Sequence, residues 1–302
     1  MADRVAARPF VDRPVGPASV TDPIAEEAAR AFGLATPIEL RRGMNALYAC
    51  DGIVLRVGDT TAPGTRAHEL AARLGERGVP VVDGIDGLAG RFGPLTVTAW
   101  RRVEPAPRPT DWEAVGDAIR RLHDSDASLV PTGYPCPSPA TFPWWHFHDL
   151  VAELGAHIDE LALSGLTAAI ERHAGWIDRL TEGAVVCHGD VHPGNVLMTD
   201  TGPLVIDWDL LCTAPRGWDH AMLTTYAERW GGDTSVYPAF AAGYGMDLRD
   251  DSFTIAVGQL RNVAATLMRV RAGLTQPAAA AEAERRLRYW RGDPDAPVWR
   301  AQ

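Results

Sequence analysis

Hydrophobic positions recur along the chain with two different periods, and the change between them divides the sequence. PIELRR, ALYAC and GIVLRVG are short strand-like runs. They are separated by Gly43-Met44-Asn45 and by Asp51-Gly52, the second a hairpin signal. VPVVDGIDGLAGRFGPLTVTAW continues as strand, turn and strand. Between these runs TRAHELAARLGERG carries apolar residues at helical spacing and stops at Gly78. A further helix precedes the strands, capped by Thr21 or Asp22, with Pro23 in its first turn and an end near Phe32. After Trp100 the Pro-rich RRVEPAPRPTDW leads into a region of helical period. WEAVGDAIRRLHDS, FHDLVAELGAHIDELALSG and LTAAIERHAGWIDRLTEG read as helices, followed by others near 218–230, 234–244, 251–272 and 277–291. One segment, 184–207, interrupts them as strand, loop, strand, turn, strand. The pattern predicts an α+β chain: a loosely ordered arm over 1–20, a β-rich N-lobe over 21–103 and a mainly helical C-lobe over 104–302.

Composition removes several classes of chemistry. No apolar run is long enough to span a bilayer, and the first 20 residues lack the apolar core of a secretory signal. Four cysteines without a CxxC pair signal neither a zinc site nor a disulfide framework. The expectation is a cytoplasmic protein, monomeric or dimeric, with no membrane partner. A net charge of −10 disfavours nucleic acid and is compatible with a cationic ligand. All 29 basic residues are arginine. The absence of lysine excludes Schiff-base chemistry and a Walker A site, and no GxGxxG supports a Rossmann site. Wherever this fold needs a cation, arginine must supply it.

The interrupting segment overlaps CHGDVHPGNVLMTDTGPLVIDWD, residues 187–209. Asp190 and Asn195 stand on a loop after a strand at D-x-x-x-x-N spacing, and Asp207 follows the next hairpin. Phosphoryl transfer needs a carboxylate to accept a hydroxyl proton and hard oxygen ligands for Mg2+. Asp190 suits the first task, and Asn195 Oδ1 with the Asp207 carboxylate suits the second. An H-x-D-x-H metal cluster of a hydrolase, through His188 and His192, is the competing arrangement. Asp200 reads as a turn residue.

HGDVHPGN followed by VIDWD resembles the signature of the aminoglycoside phosphotransferase and choline kinase-like family, the small-molecule branch of the protein-kinase-like fold. The resemblance is strong over 185–209 and weaker across most of 22–300. It implies a two-lobe kinase that uses ATP (or GTP) and Mg2+, with Asp190 as catalytic base and Asn195 and Asp207 on the metal. It also implies a supporting role for His188 in the loop, and an Asp219 that braces the loop by accepting backbone N–H bonds. Asp209 would assist the metal or touch substrate.

A kinase also needs a strand cation on the phosphates, held by a helix glutamate. Arg56 stands where this family usually has lysine, and Glu69 follows on the next helix. Guanidinium is bulkier and forks its donors, so phosphate geometry should differ. Gly43 and Asn45 resemble the family's phosphate-covering loop, and Trp100, Arg102 and Val103 would offer backbone groups to a nucleobase at the hinge. Candidate acceptor contacts are Trp144, Trp145, His148, Asp149 and Trp218, with the acidic Asp247, Asp250 and Asp251. Aromatic faces and carboxylates suit an aminoglycoside-like or other cationic alcohol. Sugar, choline, homoserine and other antibiotics stay open as acceptors, as does a pseudokinase-like nucleotide-binding module.

Overall fold

The structure, a computed structural model, describes residues 14–59 and 62–300. Most of the expected arm lies outside the described residues. The first helix, α1 (Ala18–Ala31), begins earlier than its capping signal suggested, with Pro23 inside it. Thr21 is therefore no cap: it is buried on the helix, where its hydroxyl accepts a hydrogen bond from the Tyr48 hydroxyl at 2.7 Å.

Five strands follow as one antiparallel sheet: β1 (Ile38–Arg42), β2 (Ala46–Cys50), β3 (Ile53–Gly58), β4 (Gly84–Phe92) and β5 (Leu95–Arg101). Their order is β1-β2-β3-β5-β4. Leu55 and Val57 of β3 and Val97 and Ala99 of β5 bury one sheet face under Ala25, Ala28 and Ala29 of α1. Successive side chains of a strand point to opposite faces. Arg56, between Leu55 and Val57 and in register with Thr98, must therefore face away from α1. This alternation places the cation. The helix α2 (Gly64–Glu76) uses Leu70 and Leu74 to join a second core with Ile119, Leu122, Val186 and Phe240, which ties the N-lobe to the helical lobe.

The helical lobe contains α3 (Trp112–His123), α4 (Phe147–Leu154), α5 (Glu160–Arg172), α6 (Gly217–Thr224), α7 (Tyr226–Trp230), α8 (Val236–Tyr244), α9 (Ser252–Gly273) and α10 (Pro277–Trp290). The helix break expected at Gly165 falls instead before Asp159, whose side chain accepts from Ala162 N and caps α5. Gly165 lies inside α5 because α10 passes close by: a Cβ there would meet the Trp290 carbonyl oxygen at 2.0 Å. Two short strand pairs complete the lobe. β6 (Val185–Cys187) pairs with β9 (Cys212–Ala214), and β7 (Val196–Thr199) pairs with β8 (Gly202–Val205), both antiparallel. The chain is a protein-kinase-like fold, a β-rich N-lobe on a helical C-lobe. Among the described residues, no helix is long and apolar enough to cross a membrane.

Candidate active site

The loop between β6 and β7 carries the candidate base, and its shape follows from two constraints. Gly189 has φ +92°, and a Cβ there would meet the Leu210 carbonyl oxygen at 1.9 Å, so only glycine fits. Asp219, in the first turn of α6 and buried, accepts from His188 N at 2.7 Å on one oxygen and from Gly189 N at 2.8 Å on the other. It binds the loop rather than amides of its own helix. His123 Nε2 donates to the same carboxylate at 3.0 Å, while Tyr244 Oη and Arg216 continue the chain behind it at 2.8 and 2.9 Å. Burial alone would push the Asp219 pKa up, yet the hydrogen bond from His123 and the loop amide hold it below the ordinary value.

His188 is buried, and both of its ring nitrogens are engaged. Nε2 donates to the Ile206 carbonyl at 3.0 Å, and Nδ1 accepts from Asp190 N at 3.2 Å. His192 Nδ1 likewise accepts from Gly194 N at 3.1 Å. The H-x-D-x-H metal arrangement is thus not assembled. Among the described residues a His, Cys and Asp grouping occurs elsewhere, at His123, Cys187 and Asp219, where the brace just described already uses His123 and Asp219.

Asp190 is about a quarter exposed at the mouth of the loop. Asn195 Nδ2 donates to its carbonyl at 2.9 Å and to its carboxylate at 3.3 Å, while His192 Nε2 lies 3.4 Å and Arg261 Nη1 3.6 Å from it. Burial opposes the charge, but the His192 hydrogen bond and the nearby cations hold the carboxyl down to about 2. It is ionised at neutral pH, as a proton acceptor must be. Asn195 spends its amide N–H groups on Asp190, which leaves Oδ1 as a donor atom for a cation. Asp207, after β8, is exposed and makes no side-chain hydrogen bond among the described residues. It sits in the left-handed region, φ 64° and ψ 65°, which costs a non-glycine residue of order 1 kcal/mol or more. Two unspent oxygen donors, one of them a carboxylate, fit a hard divalent cation such as Mg2+.

Asp209 stands two residues further on, where it ion-pairs with Arg56 Nη2 and accepts from Asn45 Nδ2 at 3.4 Å. Burial raises its pKa to about 6, with Asp207 adding to the rise and Arg56 opposing it. A narrow cavity opens here, lined by Arg56, Gly58, Thr96, Thr98, Tyr134 and Asp209. The expected Arg56–Glu69 pair is not formed. Glu69 ion-pairs instead with Arg66 and Arg73 on its own helix, because residues three and four apart share a helix face. Gly43 N donates to Asn45 O at 3.0 Å and closes the β1–β2 turn. At the hinge Arg102 N is already spent on Gly52 O at 2.9 Å, whereas the Val103 backbone carries no hydrogen bond among the described residues. Trp100 meets the His68 ring edge-on at 4.9 Å.

The proposed acceptor contacts divide. Trp145 and Trp218 are buried, with ring centroids 4.6 Å apart, and belong to the helical core. They are unavailable to a ligand. Trp144 stacks on Phe142 at 5.3 Å and packs against that core, whereas His148 and Asp149 are exposed on α4. Asp251 caps α9 through Thr254 N at 2.8 Å, and Asp247 pairs with Arg249. Arg261 of α9 escaped the sequence reading. Its guanidinium lies 4.9 Å over Trp218 and donates to Gly189 O at 2.6 Å, beneath Asp190. A lone cation in the middle of a helix whose neighbours are largely buried was the available signal.

Residues 53–255 match the model of a family described as the phosphotransferase enzyme family. Over 203 residues the chain is 30% identical to streptomycin 3''-kinase of Streptomyces griseus, which covers 59% of this chain and 72% of that protein. A thermostable mutant of aminoglycoside phosphotransferase APH(4)-Ia superposes with a TM-score of 0.65 at 16% identity, over 90% of this chain and 100% of that one. Spectinomycin phosphotransferase APH(9)-Ia, solved with ADP and spectinomycin, gives 0.60 at 16% identity, over 85% and 89%. A family match across most of the chain, on this fold, makes the protein a member of the phosphotransferase enzyme family and a small-molecule kinase.

Proposed function

We propose that this protein transfers the γ-phosphate of a nucleoside triphosphate to a hydroxyl of a small molecule, with an aminoglycoside-like antibiotic as the favoured acceptor. The reading is carried by one observation. An ionised, partly exposed carboxylate at Asp190 lies beside two unspent oxygen donors, and a cleft arginine stands across from them. Asp190 orients the acceptor hydroxyl and takes its proton. Asn195 Oδ1 and the Asp207 carboxylate would hold Mg2+, which when bound neutralises charge on the phosphates. Arg56 faces the phosphates from β3, and the Val103 backbone receives the nucleobase. The 30% identity to streptomycin 3''-kinase supports the acceptor class.

A coupled ADP-release assay against aminoglycosides, other antibiotics, sugars, choline and homoserine tests this. ADP release should require Mg2+ and one acceptor class, and Asp190→Ala should lower kcat about a hundredfold to ten-thousandfold. Full acceptor-dependent turnover in Asp190→Ala would sink the assignment of the base, and a response to choline or homoserine alone would overturn the acceptor class.

A further inference from the structure

We propose that Asp209 is the counter-ion that positions Arg56 for the nucleotide phosphates, in place of the helix glutamate that this task ordinarily uses. The inference rests on the nucleotide reading above and concerns how its cation is held.

Four features of the cleft carry it. Strand alternation turns Arg56 away from α1 and toward the helical lobe, and Glu69 is occupied by Arg66 and Arg73. The carboxylate that Arg56 does reach is Asp209, and the two side chains are only 21% and 17% exposed. Asn45 Nδ2 donates to the same oxygen of Asp209, so the β1–β2 turn joins the clasp. Asn45 packs against Gly58: a Cβ at that position would lie 2.3 Å from Asn45 Oδ1, so a side chain on β3 there would displace the Asn45 amide from the clasp.

The chemistry explains why arginine tolerates this arrangement. A guanidinium has five N–H donors in a planar fork, so Nη2 can stay on the carboxylate while its other donors meet a phosphate oxygen. The cation is then oriented by a residue of the other lobe, next to the candidate metal ligand Asp207. An N-lobe cation held by a C-lobe carboxylate ties lobe closure to phosphate binding, which a pair confined to the N-lobe does not do.

The test measures ADP and adenosine binding to the full chain by calorimetry, with EDTA present so that metal ligation plays no part. Asp209→Asn should weaken ADP about tenfold while adenosine, which has no phosphate, shifts less than about twofold. Adding Asp209→Asn to Arg56→Met should cost nothing further, because the pair acts as one unit. Asp209→Glu, which keeps the charge, should stay within about threefold of wild type and guards against a folding artefact. Unchanged ADP affinity in Asp209→Asn, or equal losses for ADP and adenosine, would overturn the inference. So would the same loss in Glu69→Gln, which would return the task to the helix. If the wild type binds neither ADP nor GDP when Mg2+ is restored, the nucleotide reading itself fails.

Discussion

Replacing Asp219 by asparagine keeps the side chain's shape and removes its charge and one acceptor oxygen. The two oxygens serve different loop amides, Gly189 N on one and His188 N with His123 Nε2 on the other. In the better of the two asparagine orientations, the oxygen keeps His188 and His123 while the Gly189 N–H faces an NH2 group. One buried N–H is then unpaired, at about 1–3 kcal/mol, and two charge-assisted hydrogen bonds become neutral ones. The total is roughly 2–4 kcal/mol, or a fall in Tm of about 3–6 °C for a chain of this size. Because Asp190 follows directly, kcat should fall about a hundredfold as well, since small misplacements cost that much. Thermal melts at pH 7.5 and the ADP-release assay measure both. The folded-state pKa of Asp219 is depressed, so its stabilisation is present above the unfolded value and lost as pH falls. The two melting temperatures should therefore converge below about pH 4. A Tm difference under about 2 °C at neutral pH would refute the brace, and so would a gap that widens in acid.

Two other outcomes follow from the same structure. Gly165→Ala should destabilise by about 3 kcal/mol or more, since its Cβ would collide with backbone of α10 and not with a movable side chain; urea unfolding reads this, and a change under about 0.5 kcal/mol contradicts the helix approach. Asp209 titrates the opposite way to Asp219. Its folded pKa of about 6 lies above the unfolded value, so its contribution to stability should rise as pH falls through 6, and Asp209→Asn should reduce the slope of Tm with pH between pH 5 and 8.

The sequence by itself determined the strand and helix order and the segment that holds the candidate chemistry. Those features are local: alternation of apolar positions, glycine at turns, and D-x-x-x-x-N spacing within one loop. The turn residues and the short β6–β7 connection allow few other arrangements of Asp190 and Asn195. Pairings between distant residues were decided by packing. Glu69 met arginines of its own helix because they were three and four residues away, and the strand cation met a carboxylate 153 residues later. Trp145 and Trp218 were candidate acceptor contacts in the sequence, and only the meeting of α6 with the segment before α4 buried them together. Arg261 came under the catalytic loop through the course of α9, which no local pattern specifies. Short-range spacing fixes what one loop can hold, whereas tertiary contacts decide which charges across the cleft find each other.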